Sequence, residues 1–115
     1  MKKREYRDYL VDIATSINDI ESFVEGMRLE DFMSNKMASN AVIRSLEVIG
    51  EATKNLPKSV RDRDSSIPWK KMAGMRDKMI HEYFGVNYEI IWKAVKKVLP
   101  ELKEKISRLI GQENL

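Results

Sequence analysis

The sequence predicts an all-α protein, an antiparallel bundle of four main helices plus a short extra helix. Three observations predict it. Apolar residues recur at a spacing of three and four in several segments, and no segment shows the strict alternation of a half-buried strand. Polar breaks that contain Pro or Gly separate these segments. A chain of 115 residues can bury one core but not two, so a single domain over residues 1–115 is expected.

The first two main helices are predicted from apolar stripes. "LEDFMSN", which follows the first stripe, can form at most a turn or two and is the short extra helix. Ser34 or Asn35 can cap the start of the second helix, and Pro57 ends it. Small residues at Gly50 and Ala52 let another helix come close. The first stripe is Tyr6, Leu10, Ile13, Ile17, Ile20, Val24 and Met27; the second is Met37, Ala41, Ser45, Val48, Ala52 and Leu56, flanked by Val42, Ile43 and Ile49.

The last two main helices are each marked by a proline. After the charged, turn-rich connection "KSVRDRDSS", Pro68 suits the first position of the third helix, because the amide that it lacks would be unbonded there. Pro100 lies inside the fourth helix and is expected to kink or restart it, since it cannot donate to the carbonyl of Lys96. The inward residues are Trp69, Met72, Met75 and Met79 in the third helix and Ile91, Val95, Val98, Leu102, Ile106 and Leu109 in the fourth.

Composition argues against several classes of protein. There is no cysteine and only one histidine, which disfavours disulfide frameworks and zinc sites, so no metal and no cofactor are expected. No apolar run approaches the roughly 20 residues of a membrane span, and "MKKREYRDYL" lacks a signal-peptide core. These features predict a cytoplasmic protein without a membrane partner.

Positive charge is concentrated in one stretch. Residues 58–81 contain seven lysines and arginines against three aspartates, although the whole chain has a net charge of only +3. Such a patch attracts phosphate backbones. A solvated face that is balanced by acids elsewhere is the alternative interpretation.

The same stretch contains the only histidine, in "GMRDKMIHEYFG" (74–85). On a continuous helix Arg76 and Tyr83 lie nearly in line, whereas His81 is rotated by about 140° from Arg76. Either the helix frays before His81, or another part of the assembly completes the site. A structural alternative is that His81 interacts with the helix dipole and Tyr83 belongs to the core.

"RDKMIHEY" matches Arg-x-x-x-x-His-x-Tyr, and the chain thereby resembles the HepT-like toxins of the HEPN superfamily. The likeness extends to "SLEVIGEATKNLP" (45–57) and "IPWKKMAGMRDKMIHEYFGVNYEIIW" (67–92). It implies a HEPN-like bundle and a metal-independent ribonuclease (a hydrolase), the toxin of a type VII-like toxin–antitoxin system. The residue after the arginine, often asparagine in the family, is Asp77 here, and its negative charge beside a phosphate site could lower activity.

The resemblance assigns roles that fit the residue types. His81 can act as general base or acid, and Arg76 can grip the phosphate through two nitrogens. Asp77 and Tyr83 are supporting or substrate-binding residues, and Tyr83 can donate to phosphate or stack on a base. One histidine cannot be acid and base at once, so a homodimer with both motifs in one cleft is expected, as is typical of HEPN proteins. The alternative is that Asp77 or Glu82 takes the second role within one chain.

The resemblance also implies a protein partner, a minimal nucleotidyltransferase antitoxin that transfers AMP to the motif tyrosine. Tyr83 is then the acceptor, and Tyr88 is the competing tyrosine outside the motif. The adduct would block the substrate site through its bulk and its negative charge.

Two other functions stay open on the sequence alone. One is a non-catalytic nucleotide- or substrate-binding subunit of a nucleotidyltransferase, and the other is a purely structural dimeric bundle. The intact motif disfavours the second, because core packing does not require that combination of residues. Glu47 and Glu51, four residues apart, are interpreted as a solvated or interface-facing edge rather than a metal site.

Overall fold

A computed structural model describes residues 5–81 and 87–113, without the side chains of residue 76, residues 78–81 and residue 113. Helices, and no strands, make up the regular structure of these residues, which confirms the predicted all-α bundle. The helices are α1 (Tyr6–Phe23), α2 (Leu29–Ser34), α3 (Lys36–Lys54), α4 (Lys58–Arg61), α5 (Trp69–His81), α6 (Tyr88–Lys93) and α7 (Leu99–Glu113). Four long helical segments form the bundle, namely α1, α3, α5 and the combined α6–α7 segment.

The stripes of α1 and α3 form much of the core, with one difference from the prediction in each. In α1 the stripe begins one turn later, since Tyr6 is 39% exposed and Leu10 is fully buried. In α3 the buried face lies one residue further along the chain, since Met37 is 81% exposed and the adjacent Ala38 is only 8% exposed. Asn35 caps α3 as predicted, because its Oδ1 accepts from the backbone amide of Ala38 at 3.0 Å.

Pro100 is accommodated by a π-helical turn, Ala94–Val98, which joins α6 to α7. The helix changes from π to α geometry at Leu99, next to the proline. The stripe keeps its predicted phase on both sides of the turn, because the apolar residues assigned to it before and after the turn are buried, and the difference is confined to the turn itself. Val98, predicted to be buried, is 46% exposed, and Leu99 takes its place at 1% exposure.

The short helices connect the long ones. Phe32 of α2 is fully buried, and its ring lies 5.3 Å from that of Trp92 and 6.1 Å, edge-on, from that of Tyr88, which packs α2 against α6. The connection "KSVRDRDSS" was predicted as turns, yet it contains the single helical turn α4. Val60 of α4 is 1% exposed and anchors that turn in the core.

Candidate active site

Helix α5 positions the motif. It runs without a break from Trp69 to His81, so Arg76 and Asp77 lie in one turn of the helix and His81 lies in the next. Fraying before His81, one of the two alternatives drawn from the sequence, is therefore wrong. The side chains of Arg76 and His81, and the whole of Tyr83, lie outside the described residues. The backbone alone places the positions of Arg76 and His81 about 140° apart around the helix axis.

The start of α5 is fixed by its tryptophan. The indole Nε1 of Trp69 donates to the carbonyl of Arg61 at 2.9 Å and to that of Asp64 at 3.0 Å. The ring is 8% exposed, and Met72 one turn later is 1% exposed. Pro68 immediately precedes the helix, and its carbonyl accepts from the amide of Met72. This agrees with the predicted start to within one residue.

A polar turn supports the segment before α5. The hydroxyl and the amide of Ser66 both donate to Oδ1 of Asp64. The hydroxyl hydrogen bond is the largest of the effects that hold the pKa of the Asp64 carboxyl below its ordinary value. Asp64 therefore stays ionised near neutral pH and keeps both bonds.

Two contacts show that α5 runs antiparallel to the chain before it. Trp69, at the start of α5, contacts Arg61, and Asp77, later in α5, contacts Lys54. Residue numbers therefore rise along α5 while they fall along the segment that it contacts. Gly50 is buried and Ala52 is 4% exposed, so both small residues of α3 lie inside the bundle.

Asp77 is paired with a residue that the sequence did not single out. Nζ of Lys54 lies 2.9 Å from Oδ2 of Asp77, and the two side chains are 35% and 53% exposed. An ion pair this open to water contributes about 0–1 kcal/mol to stability. Its effect on the local field is more relevant, because the lysine balances the negative charge that Asp77 brings to the motif. No sequence signal pointed to Lys54, which lies 23 residues away.

Glu47 and Glu51 on α3 were interpreted from the sequence as a solvated or interface-facing edge, and the structure agrees with this interpretation. Oε2 of Glu47 lies 3.3 Å from Nη1 of Arg44 on the same helix, and Glu51 is exposed. Among the described residues, no three His, Asp or Glu side chains converge in a way that would hold a metal ion.

The cationic stretch of the sequence gathers around one surface feature, which we call the basic pocket. It is an open depression of about 520 Å³ next to the start of α5. Its rim carries Lys58, Arg61, Lys70 and Lys71, four of the seven cations counted in the sequence, with Asp62 as the acid among them. Lys58 is bound to Asp62 at 2.7 Å, and both are largely exposed. The remaining lining residues are Ser65, Ile67, Pro68 and Trp69.

Beyond the motif, α6 begins at an Asn cap. The side chain of Asn87 accepts from the amides of Glu89 and Ile90 at 2.9 and 3.2 Å, so it caps the start of this helix. Tyr88, the competing acceptor, is half-buried with its ring against Phe32. In the described part of the chain, no helix is long and apolar enough to cross a membrane.

The known proteins that this chain resembles are described as ribonucleases. A family model described as "Ribonuclease HepT-like" matches residues 13–109. A Thermococcus cleftensis protein named "Probable ribonuclease HepT" is 50% identical over 93% of this chain and 97% of its own length. A candidate RNase of Caldanaerobacter subterraneus subsp. tengcongensis is 48% identical over 93% and 96% of the two chains. A candidate RNase of Methanocaldococcus jannaschii is 46% identical over 96% and 95%. No solved structure matches.

Proposed function

Because the chain belongs to the HepT-like ribonuclease family, we propose that it is a metal-independent endoribonuclease, the toxin of a type VII-like toxin–antitoxin system. The observation that carries the proposal is the motif on α5, with Arg76 and His81 in the last two turns of an anchored helix. We propose further that residues 1–115 form one such domain and that the protein works in the cytoplasm.

The proposed reaction is an internal transesterification of RNA. The ribose 2′-oxygen attacks the adjacent phosphorus while the bond from phosphorus to the 5′-oxygen breaks, which leaves a 2′,3′-cyclic phosphate and a free 5′-hydroxyl. One proton leaves the 2′-hydroxyl and another is delivered to the 5′-oxygen. His81 supplies one of these transfers, and the guanidinium of Arg76 stabilises the charge that develops on the phosphorane.

The second proton transfer requires a second group, and we assign it to another copy of the chain. Arg76 and His81 lie about 140° apart around one helix. A two-fold dimer in which the two motifs face each other across a cleft brings these two groups together from different copies of the chain. Sedimentation at micromolar concentration should give a dimer, and a monomer that cleaves RNA at full rate would contradict the assignment.

The partner that we propose is a minimal nucleotidyltransferase antitoxin, which silences the toxin at Tyr83. The tyrosine oxygen attacks the α-phosphate of ATP, pyrophosphate leaves, and the AMP adduct brings a bulky anion to the phosphate site. The packing of Tyr88 favours Tyr83 as acceptor, because the ring of Tyr88 is held against Phe32.

Incubation with the cognate antitoxin and ATP should therefore add AMP to Tyr83 and abolish RNA cleavage. Tyr83→Phe should resist modification and retain about a tenth or more of the activity, since a lost neutral hydrogen bond costs roughly 0.5–1.5 kcal/mol. Tyr88→Phe is the matched control and should still be modified. Mass spectrometry of the products locates the adduct. AMP on Tyr88 or on a serine, with Tyr83 unmodified, would reject the acceptor, and cleavage by the modified protein would reject the blocking mechanism.

A further inference from the structure

An open stripe of α5 connects the basic pocket with the motif. Lys70, Gly74, Asp77 and His81 follow one another at spacings of four, three and four, so their positions share one face of the helix. Lys70, Gly74 and Asp77 are exposed. From Lys70 to His81 the stripe is about 16 Å long at 1.5 Å per residue.

The middle of this stripe offers room for a ligand. A side chain at Gly74 would meet no other heavy atom within 4 Å of its Cβ, so the surface above it is unobstructed. The acid on the stripe, Asp77, is balanced by Lys54 at 2.9 Å. A polyanion that lies along the stripe thus meets cations at one end, an open backbone in the middle and a neutralised carboxylate before the motif.

The basic pocket has the chemistry of a site for a single-stranded nucleic acid. Four cations against one acid at its rim favour phosphates, and each phosphate contact releases counterions. Pro68, which is exposed, adds apolar lining against which a base can lie, whereas Ile67 and Trp69 are nearly buried. An acidic protein segment would satisfy the cations as well, but it would not use the open stripe that leads to His81.

We propose that the basic pocket is a second RNA-binding site, which holds the substrate strand about 16 Å from His81 while the strand runs along the stripe to the motif. The proposal that this strand is the substrate rests on the proposed ribonuclease function. The proposal that the basic pocket binds RNA does not. The pocket accordingly selects for RNA long enough to reach both ends of the stripe.

The test is binding of a 12-nucleotide RNA whose 2′-oxygens are methylated, because that probe lacks the nucleophile and is not cleaved. Lys70→Gln/Lys71→Gln should raise its Kd roughly five- to tenfold and reduce the slope of log Kd against log salt by about 1.4. Lys36→Gln removes an exposed lysine from the first turn of α3, at the far end of that helix from α4, and should leave both quantities unchanged.

The stripe is tested by a charge placed in the proposed path. Gly74→Glu should weaken binding of the same probe by a similar factor without harming the fold, because the position is open and Glu is a better helix former than Gly. Gly111→Glu is its matched control, since Gly111 is also helical with nothing near its Cβ, but lies on α7. It should bind like the unmodified chain.

Cleavage of a dinucleotide and of the unmethylated 12-mer separates this proposal from the proposed function. The lysine variant should cleave the dinucleotide normally and the 12-mer with a lower kcat/KM. If the unmodified chain cleaves neither RNA, the ribonuclease function fails while the binding result stands. If the lysine and Gly74 variants bind the methylated probe as the unmodified chain does, the basic pocket is not an RNA site and a protein partner becomes its occupant.

Discussion

Replacement of His81 by alanine should lower the rate of RNA cleavage roughly 10²-fold or more, the usual effect of removing a general acid–base group. Arg76→Ala should lower it to a similar extent, because the charge on the phosphorane is then left without its bidentate partner. Both effects should appear mainly in kcat, since the two groups act on the transition state rather than on the rest of the strand. Single-turnover cleavage of a short labelled RNA measures them directly.

A control variant separates this effect from a general loss of charge or of fold. Arg44→Ala also removes an arginine from a helix, one that is exposed and bound to Glu47, and should cleave at nearly the normal rate. Thermal unfolding of all three variants should remain close to that of the unmodified chain. Cleavage that survives both His81→Ala and Arg76→Ala would show that the motif does not perform the chemistry.

Truncation of Leu99 should destabilise the fold by about 2–5 kcal/mol, whereas truncation of the adjacent Val98 should cost much less. Leu99 is 1% exposed and fills the core after the π-helical turn, so Leu99→Ala removes buried methyl groups and leaves a cavity. Val98→Ala removes a smaller side chain that is 46% exposed. Urea unfolding of the two variants gives the comparison.

Both residues fit the three-and-four pattern, because Val98 follows Val95 by three positions and Leu99 follows it by four, and the prediction from the sequence placed Val98 inside. Equal losses, or a larger loss for Val98→Ala, would mean that Leu99 is not the residue that fills the core at this turn.

This contrast illustrates what the sequence can predict about the fold. Leu10, Ile49 and Ile106 are fully buried, because strong amphipathic stripes have only one face that can meet the core. The interchange of Val98 and Leu99 was not predictable in the same way. It depends on how the helix accommodates Pro100. The sequence is equally compatible with a bend and with a π turn at this proline.

The candidate site was likewise predicted only in part from the sequence. Spacing placed Arg76 and His81 on one helix and left open whether that helix reached His81, which it does. The excess of cations predicted a phosphate-attracting surface, but only the packing of α4 beside α5 gathers four of them around one pocket. The Lys54–Asp77 pair joins residues that are distant in sequence, and a pairing of this kind depends on helix register, which apolar periodicity does not specify.

We propose that this chain cleaves RNA by acid–base chemistry of the motif without a metal ion. The most direct measurement is cleavage of a defined RNA by the unmodified chain in excess EDTA, with mass spectrometry of the product ends. We predict an undiminished rate, 5′ fragments that end in a 2′,3′-cyclic phosphate and 3′ fragments that begin with a free hydroxyl. Loss of cleavage in EDTA that is restored by added Mg²⁺, with a 5′-phosphate on the downstream fragment, would contradict the claim.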